Sequence, residues 1–136
     1  MVAAQAFTIQ ATSGALSAIA GSPYPAGTVP VFVGTEQSGR FVYVIDANAN
    51  AISAFAIDSA SGALQITTAS PFPTGTGPRW VSVDPSGKFA YVTNQITNNV
   101  SAYVIDSLSG VLTPISGSPF AAGTFPISVA TTGKTN

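Results

Sequence analysis

The most metal-like stretch of this sequence is Asp46-Ala-Asn48-Ala-Asn50-Ala51, with oxygen-bearing side chains at alternate positions. A calcium loop wants Gly at its sixth position and a bidentate Glu at its twelfth. Here those positions hold Ala51 and Ile57, so the string reads as Asx turns joining two strands, matched by Asn94 and Asn98 further on, and no metal is expected. The sequence has no His and no Cys. The usual general base, the commonest metal ligand and every thiolate nucleophile are therefore missing, and no cofactor is expected. Glu36 is the one Glu, and Trp80 the one Trp, either core packing or a stacking platform for a ligand. The basic residues Arg40, Arg79, Lys88 and Lys134 are spread along the chain, too sparse to neutralise phosphates or hold an anionic membrane surface, so neither nucleic acid nor membrane is an expected partner.

The elements that must position these residues are visible as repeats. Ser13-Gly-Ala-Leu16 returns as Ser61-Gly-Ala-Leu64 and Ser109-Gly-Val-Leu112, each 48 residues after the last. Ser22-Pro-Tyr-Pro, Ser70-Pro-Phe-Pro and Ser118-Pro-Phe-Ala keep the same interval. Aligned without a gap, residues 13–60 and 61–108 share 22 identities in 48 positions, which only duplication explains.

Within each unit, apolar runs rich in Val, Ile, Phe and Tyr are bounded by Gly, Pro, Asn, Asp and Ser, the punctuation of short strands. The pattern predicts strands near 31–36, 41–46, 51–57 and 63–69, and again near 79–84, 89–94, 99–105 and 111–117. Gln37-Ser-Gly-Arg40 and Pro85-Ser-Gly-Lys88 supply hairpin turns between first and second strands. Asp58-Ser-Ala-Ser-Gly62 and Asp106-Ser-Leu-Ser-Gly110 turn the third strand into the fourth. Four antiparallel strands per 48 residues make a blade, so the expected fold is all-β, a partial β-propeller. A sandwich or a solenoid is the rival, though four strands exceed a common solenoid coil. The composition agrees. Charged residues are 7% and apolar ones 46%, as inner strands covered on both faces require. The Pro-rich links are expected to carry the chain to the next blade while blocking edge pairing. No apolar run reaches the roughly 20 residues of a membrane helix.

The run Gly77-Pro-Arg-Trp-Val-Ser-Val-Asp-Pro-Ser-Gly-Lys-Phe-Ala-Tyr-Val-Thr-Asn94, followed by Val100-Ser-Ala-Tyr-Val-Ile-Asp106 and Gly117-Ser-Pro-Phe120, resembles the lactonase-type β-propeller family, whose best known members are 6-phosphogluconolactonase-like. The resemblance covers nearly the whole chain and implies a seven-bladed parent architecture, of which this is about three blades' worth. Enzymatic members carry Gly-Pro-Arg-His at the start of an inner strand. Gly77-Pro78-Arg79 matches and Trp80 replaces the His; Val31 and Ile127 stand where the other copies would carry Arg. Lactone hydrolysis needs an activated water and a stabilised oxyanion. On this resemblance Arg79 is the candidate for the oxyanion and Glu36 for the base, against the plainer roles of a channel-rim residue and a hairpin residue.

Strand counting places residues 1–24 as the third and fourth strands of a split blade, 25–72 and 73–120 as full blades, and 121–136 as the first strand of another split blade, near 125–130. Residues 131–136 read as a chain terminus. A unit of fewer than three blades leaves apolar blade faces in water, so the expected partner is a second copy, and the first functional reading is a non-enzymatic, self-assembling propeller module. A dimer, with about six blade positions, is favoured over a wider trimer. The alternatives are a lactone hydrolase with a channel site shared between chains, and a glycan binder using Trp80 and the Asn-rich loops. The opening Met-Val-Ala-Ala-Gln-Ala-Phe lacks the basic and long apolar regions of a signal peptide. The absence of Cys fits either redox compartment, so a secreted or periplasmic parent stays open.

Overall fold

The structure is a computed structural model that describes residues 2–133. It is built of short strands: β1 (Ala3–Ala4), β2 (Phe7–Ile9), β3 (Leu16–Ala18), β4 (Tyr24–Pro25), β5 (Pro30–Thr35), β6 (Phe41–Asp46), β7 (Ala51–Ile57), β8 (Leu64–Ile66), β9 (Phe72–Pro73), β10 (Pro78–Val83), β11 (Phe89–Asn94), β12 (Asn99–Ile105), β13 (Leu112–Pro114) and β14 (Phe120–Ala121). Two full blades follow one plan. Strands β5-β6-β7-β8 form an antiparallel meander with β9 also on β7, and β10-β11-β12-β13 repeat it with β14 on β12. Ahead of them, β2 pairs with β3 and β1 with β4, the outer half of a blade.

Strand β6, Phe-Val-Tyr-Val-Ile-Asp, is buried at every position because both of its faces are covered. Phe41, Tyr43 and Ile45 point into a cluster shared with Val81, Val92, Tyr103, Ile105 and Leu112 of the second blade. Val42 and Val44 point the other way, toward Ala4, Tyr24 and Leu64. An element covered on both sides has no reason to alternate apolar and polar residues.

The fourth strands differ from expectation. They span only 64–66 and 112–114, and the links thought to avoid pairing form a second piece of the same strand, with Ile52 opposite Phe72 and Val100 opposite Phe120. Between the two pieces stands a Ser-Pro pair, whose peptide is cis at Ser22, Ser70 and Ser118. Proline has no N–H to give to a ladder. Serine makes good the break: the hydroxyls of Ser22, Ser70 and Ser118 accept the third-strand N–H of Ala6, Ala54 and Ala102 at 3.1, 2.9 and 2.9 Å. Pairing resumes after it.

The expected first strand at 125–130 is not a strand. Among the described residues it pairs with no second strand, and it lies instead along the second blade. Thr93 Oγ1 donates to the Ile127 carbonyl at 3.2 Å and Thr131 Oγ1 to the Val83 carbonyl at 3.0 Å. The expectation of a terminus at 131–136 falls in part outside the described residues.

Candidate functional site

The ladder between β10 and β11 slips at its start: Pro78 faces Asn94 and Trp80 faces Thr93, leaving Arg79 unpaired in a bulge. Bulges re-aim side chains. Arg79 is exposed, and its Nε donates to Gln95 Oε1 at 3.0 Å. Gln95 is itself fixed by the turn after β11, where its N–H donates to the Gly77 carbonyl at 2.8 Å. Beside Arg79, the Trp80 ring stacks on Phe32, with centroids 3.9 Å apart and planes at 29°. Trp80 keeps about a third of its surface open, 36%. Phe32 and Trp80 occupy the same position in successive repeats, so one bulge in each inner strand, at Val31 and at Arg79, aligns the two rings. Arg79, Trp80, Phe32 and Gln95 thus meet where the inner strands begin.

Glu36 does not join them. It closes the hairpin at the far end of β5, five residues beyond the counterpart of Arg79, which is about 16 Å along an extended strand. Its carboxylate accepts N–H bonds from Ser38 at 2.8 Å and Arg40 at 2.7 Å, and the Ser38 hydroxyl as well. Burial alone would push its carboxyl up, but the bonds from Ser38, Arg40 and Phe41 outweigh that and hold it below its ordinary value of 4.5. A carboxylate so satisfied is a poor proton acceptor. The structure does not bring the expected base and oxyanion group together: Arg79 is exposed at the start of its strand, and Glu36 braces a hairpin at the far end of another.

The other four carboxylates do the same kind of work. Asp84 accepts the N–H of Lys88 at 2.9 Å and of Phe89 at 2.8 Å. Asp58 and Asp106 accept those of Ser61 and Ser109, both at 2.8 Å. Asp46, the head of the metal-like string, accepts N–H bonds from Thr28, Val29, Asn48 and Ala49 and is an Asx-turn centre. Asn50 in the same string takes a left-handed φ of 52° and accepts the Gly77 N–H at 2.9 Å. Each of the five acidic groups is held below its ordinary pKa.

An apolar groove of about 670 Å³ adjoins the Arg79 site at Phe32, between the half-blade and the first full blade, lined also by Ala6, Ile19, Val31, Val42 and Val44. It holds no titratable group, so chemistry belongs with Arg79 and Trp80. The repeat could have pointed to Phe32, since it fixes Trp80's counterpart; nothing in the sequence marks Gln95.

The family described as lactonase, seven-bladed β-propeller, matches residues 5–128. The chain belongs to that family. Among solved structures, a candidate 6-phosphogluconolactonase from Bacteroides fragilis matches with a TM-score of 0.79 and 23% identity, over 90% of this chain and 34% of its own. A protein from Lactobacillus plantarum matches at 0.76 and 24%, over 91% and 37%. The periplasmic gluconolactonase of Pseudomonas aeruginosa matches at 0.72 and 25%, over 88% and 34%. No curated protein matches. This lactonase-family chain thus spans about a third of the length of the solved structures it resembles.

Proposed function

We propose that this chain supplies part of a lactone-hydrolysing propeller, with Arg79 stabilising the oxyanion and Trp80, backed by Phe32, lying against the lactone ring. The observation that carries this is the bulge that lifts Arg79 out of the ladder, beside the exposed Trp80 face. Membership of the lactonase family and the gluconolactonase name of one structural neighbour favour hydrolysis over a purely structural role. In the reaction a hydroxide oxygen bonds to the lactone carbonyl carbon, the carbonyl oxygen becomes the oxyanion, and collapse breaks the ring C–O bond. The proton of the new carboxylic acid passes to the leaving alkoxide through solvent, and the product is a hydroxy carboxylate.

The five carboxylates are committed to turns, and the chain has no His, so Arg79 acts through charge and the attacking hydroxide comes from solvent. Hydrolysis by this chain should rise about tenfold per pH unit between pH 5 and 8, without the plateau of a titrating base. The test is hydrolysis of a panel of sugar and aliphatic lactones. Arg79→Ala should lower the rate by about 100-fold, and Glu36→Gln, assayed on folded protein, should leave it unchanged. Hydrolysis no faster than in buffer, or indifferent to Arg79→Ala, overturns the reading.

A further inference from the structure

Arg79 and Gln95 come as a pair, in one of the two full blades. One step of 48 residues back, the first blade has Val31 in place of Arg79 and Ala47 in place of Gln95. The backbone is the same in both. Val31 and Arg79 each occupy the bulge of an inner strand. The turn after the second strand is closed by the Ala47 N–H on the Val29 carbonyl at 3.0 Å in one blade, and by the Gln95 N–H on the Gly77 carbonyl at 2.8 Å in the other. An alanine therefore suffices for this turn. What the Gln95 side chain adds is its bond to Arg79, whose Nε donates to Gln95 Oε1 at 3.0 Å.

That bond decides which edge of the guanidinium meets a ligand. With Nε taken by Gln95, the edge left is the terminal pair, Nη1 and Nη2, two coplanar donors that match the two oxygens of one carboxylate. Gln95 is also neutral. A glutamate in its place would orient Arg79 equally well but offset its charge, and the chain's own carboxylates are taken up by turns at Glu36, Asp46, Asp58, Asp84 and Asp106. Arg79 is thus oriented by an amide that leaves its positive charge for an anion. The Trp80 ring, fixed by its stack on Phe32, lies next along the same strand.

We infer that Gln95 is the positioning residue of Arg79, and that the pair binds a carboxylate end-on, with the hydroxylated carbon chain attached to it against the Trp80 ring. The inference rests on the lactone reading for the source of its ligand: the hydroxy carboxylate left by ring opening carries its charge on the oxygens that Arg79 faced as the oxyanion, and it competes there with the next lactone. Binding itself needs no turnover.

D-Gluconate is the probe, and the fluorescence of Trp80, the one Trp of the chain, reports its binding without hydrolysis. The native chain should respond saturably to gluconate, and at lower concentration than to D-glucitol, which has the same hydroxylated chain without a carboxylate. Arg79→Ala should remove that preference. Gln95→Ala, which gives the second blade the residue the first already has at Ala47, should raise the dissociation constant for gluconate by about tenfold and leave the urea midpoint where it is. A native chain with no preference for gluconate, a Gln95→Ala variant of native affinity, or one whose urea midpoint falls overturns the inference. Gluconate binding of this pattern without lactone hydrolysis would overturn the catalytic reading alone, and hydrolysis that depends on Arg79 while gluconate binding ignores Gln95 would overturn this inference alone.

Discussion

Asp46 shows what a carboxylate is for in this chain. It is almost fully buried and accepts four backbone N–H bonds, two from the link between blades and two from its own turn. Burial alone would push its carboxyl up; the bonds from Thr28, Ala49, Val29 and Asn48 outweigh it and hold the group below its ordinary value of 3.8. Asp46→Ala strands those donors and should cost about 2–4 kcal/mol in urea unfolding. Since the folded value lies below the unfolded one, this stabilisation is complete above the ordinary carboxylate range and is lost as pH falls through the folded value. The urea midpoint of the native chain should therefore hold from pH 7 to about 5 and fall below about pH 4, and Asp46→Ala should flatten that fall. In the second blade Asn94 stands in the place of Asp46. Its Nδ2 donates to Asn99 at 2.8 Å and Ser101 at 2.9 Å, and its Oδ1 is buried without a partner. The Gly77 N–H goes to Asn50 instead, so the second link is tied through a neighbouring turn as well as through its own, where the Thr76 N–H reaches Thr97 Oγ1 at 3.2 Å.

At the scale of elements, the turn from third to fourth strand does two jobs. Asp106 braces it from within, and Gly110 presents it to the next blade. Gly110 needs both its left-handed backbone and its lack of a side chain, because its φ is +72° and Phe41 lies over it. Gly110→Ala should cost about 2–3 kcal/mol, strain plus overpacking. Gly14→Ala, where nothing lies within 4 Å of the added Cβ, should cost only about 1 kcal/mol, the backbone part alone. Comparison of the two urea midpoints checks both. The first strands carry a different device, the bulge, and the same irregularity at Val31 and at Arg79 has two outcomes: a valine against an apolar groove and an arginine held out beside a stacked aromatic pair.

At the scale of the whole molecule, the two full blades are joined by one core, with Phe41, Tyr43 and Ile45 of the first packed against Val81, Tyr103 and Leu112 of the second. Ile45→Ala empties part of that shared core, from a side chain with no exposed surface, and should cost about 2–5 kcal/mol, read as a lower urea midpoint. The site at Arg79 sits on the inner strands, outside that core, so stability and lactone hydrolysis are separable by substitution.

Much of this was legible in the sequence because it is written locally and three times. The 48-residue interval, the Ser-Gly hairpins and the uninterrupted apolar run of β6 determine four-stranded blades before any contact is known, since strand formation and turn type depend on residues within a few positions of each other. The same locality exposes the correction at 125–130, which reads as a strand by its own residues but pairs with no strand among the described residues. What the tertiary structure alone decided is which groups meet. Glu36 and Arg79 look like a base and an oxyanion group along the chain, yet strand direction sets them at opposite ends of the blades, while the 48-residue step brings Phe32 under Trp80 and a turn brings Gln95 to Arg79. Periodicity fixes what each segment becomes; only the packing of one blade on the next fixes what each side chain touches.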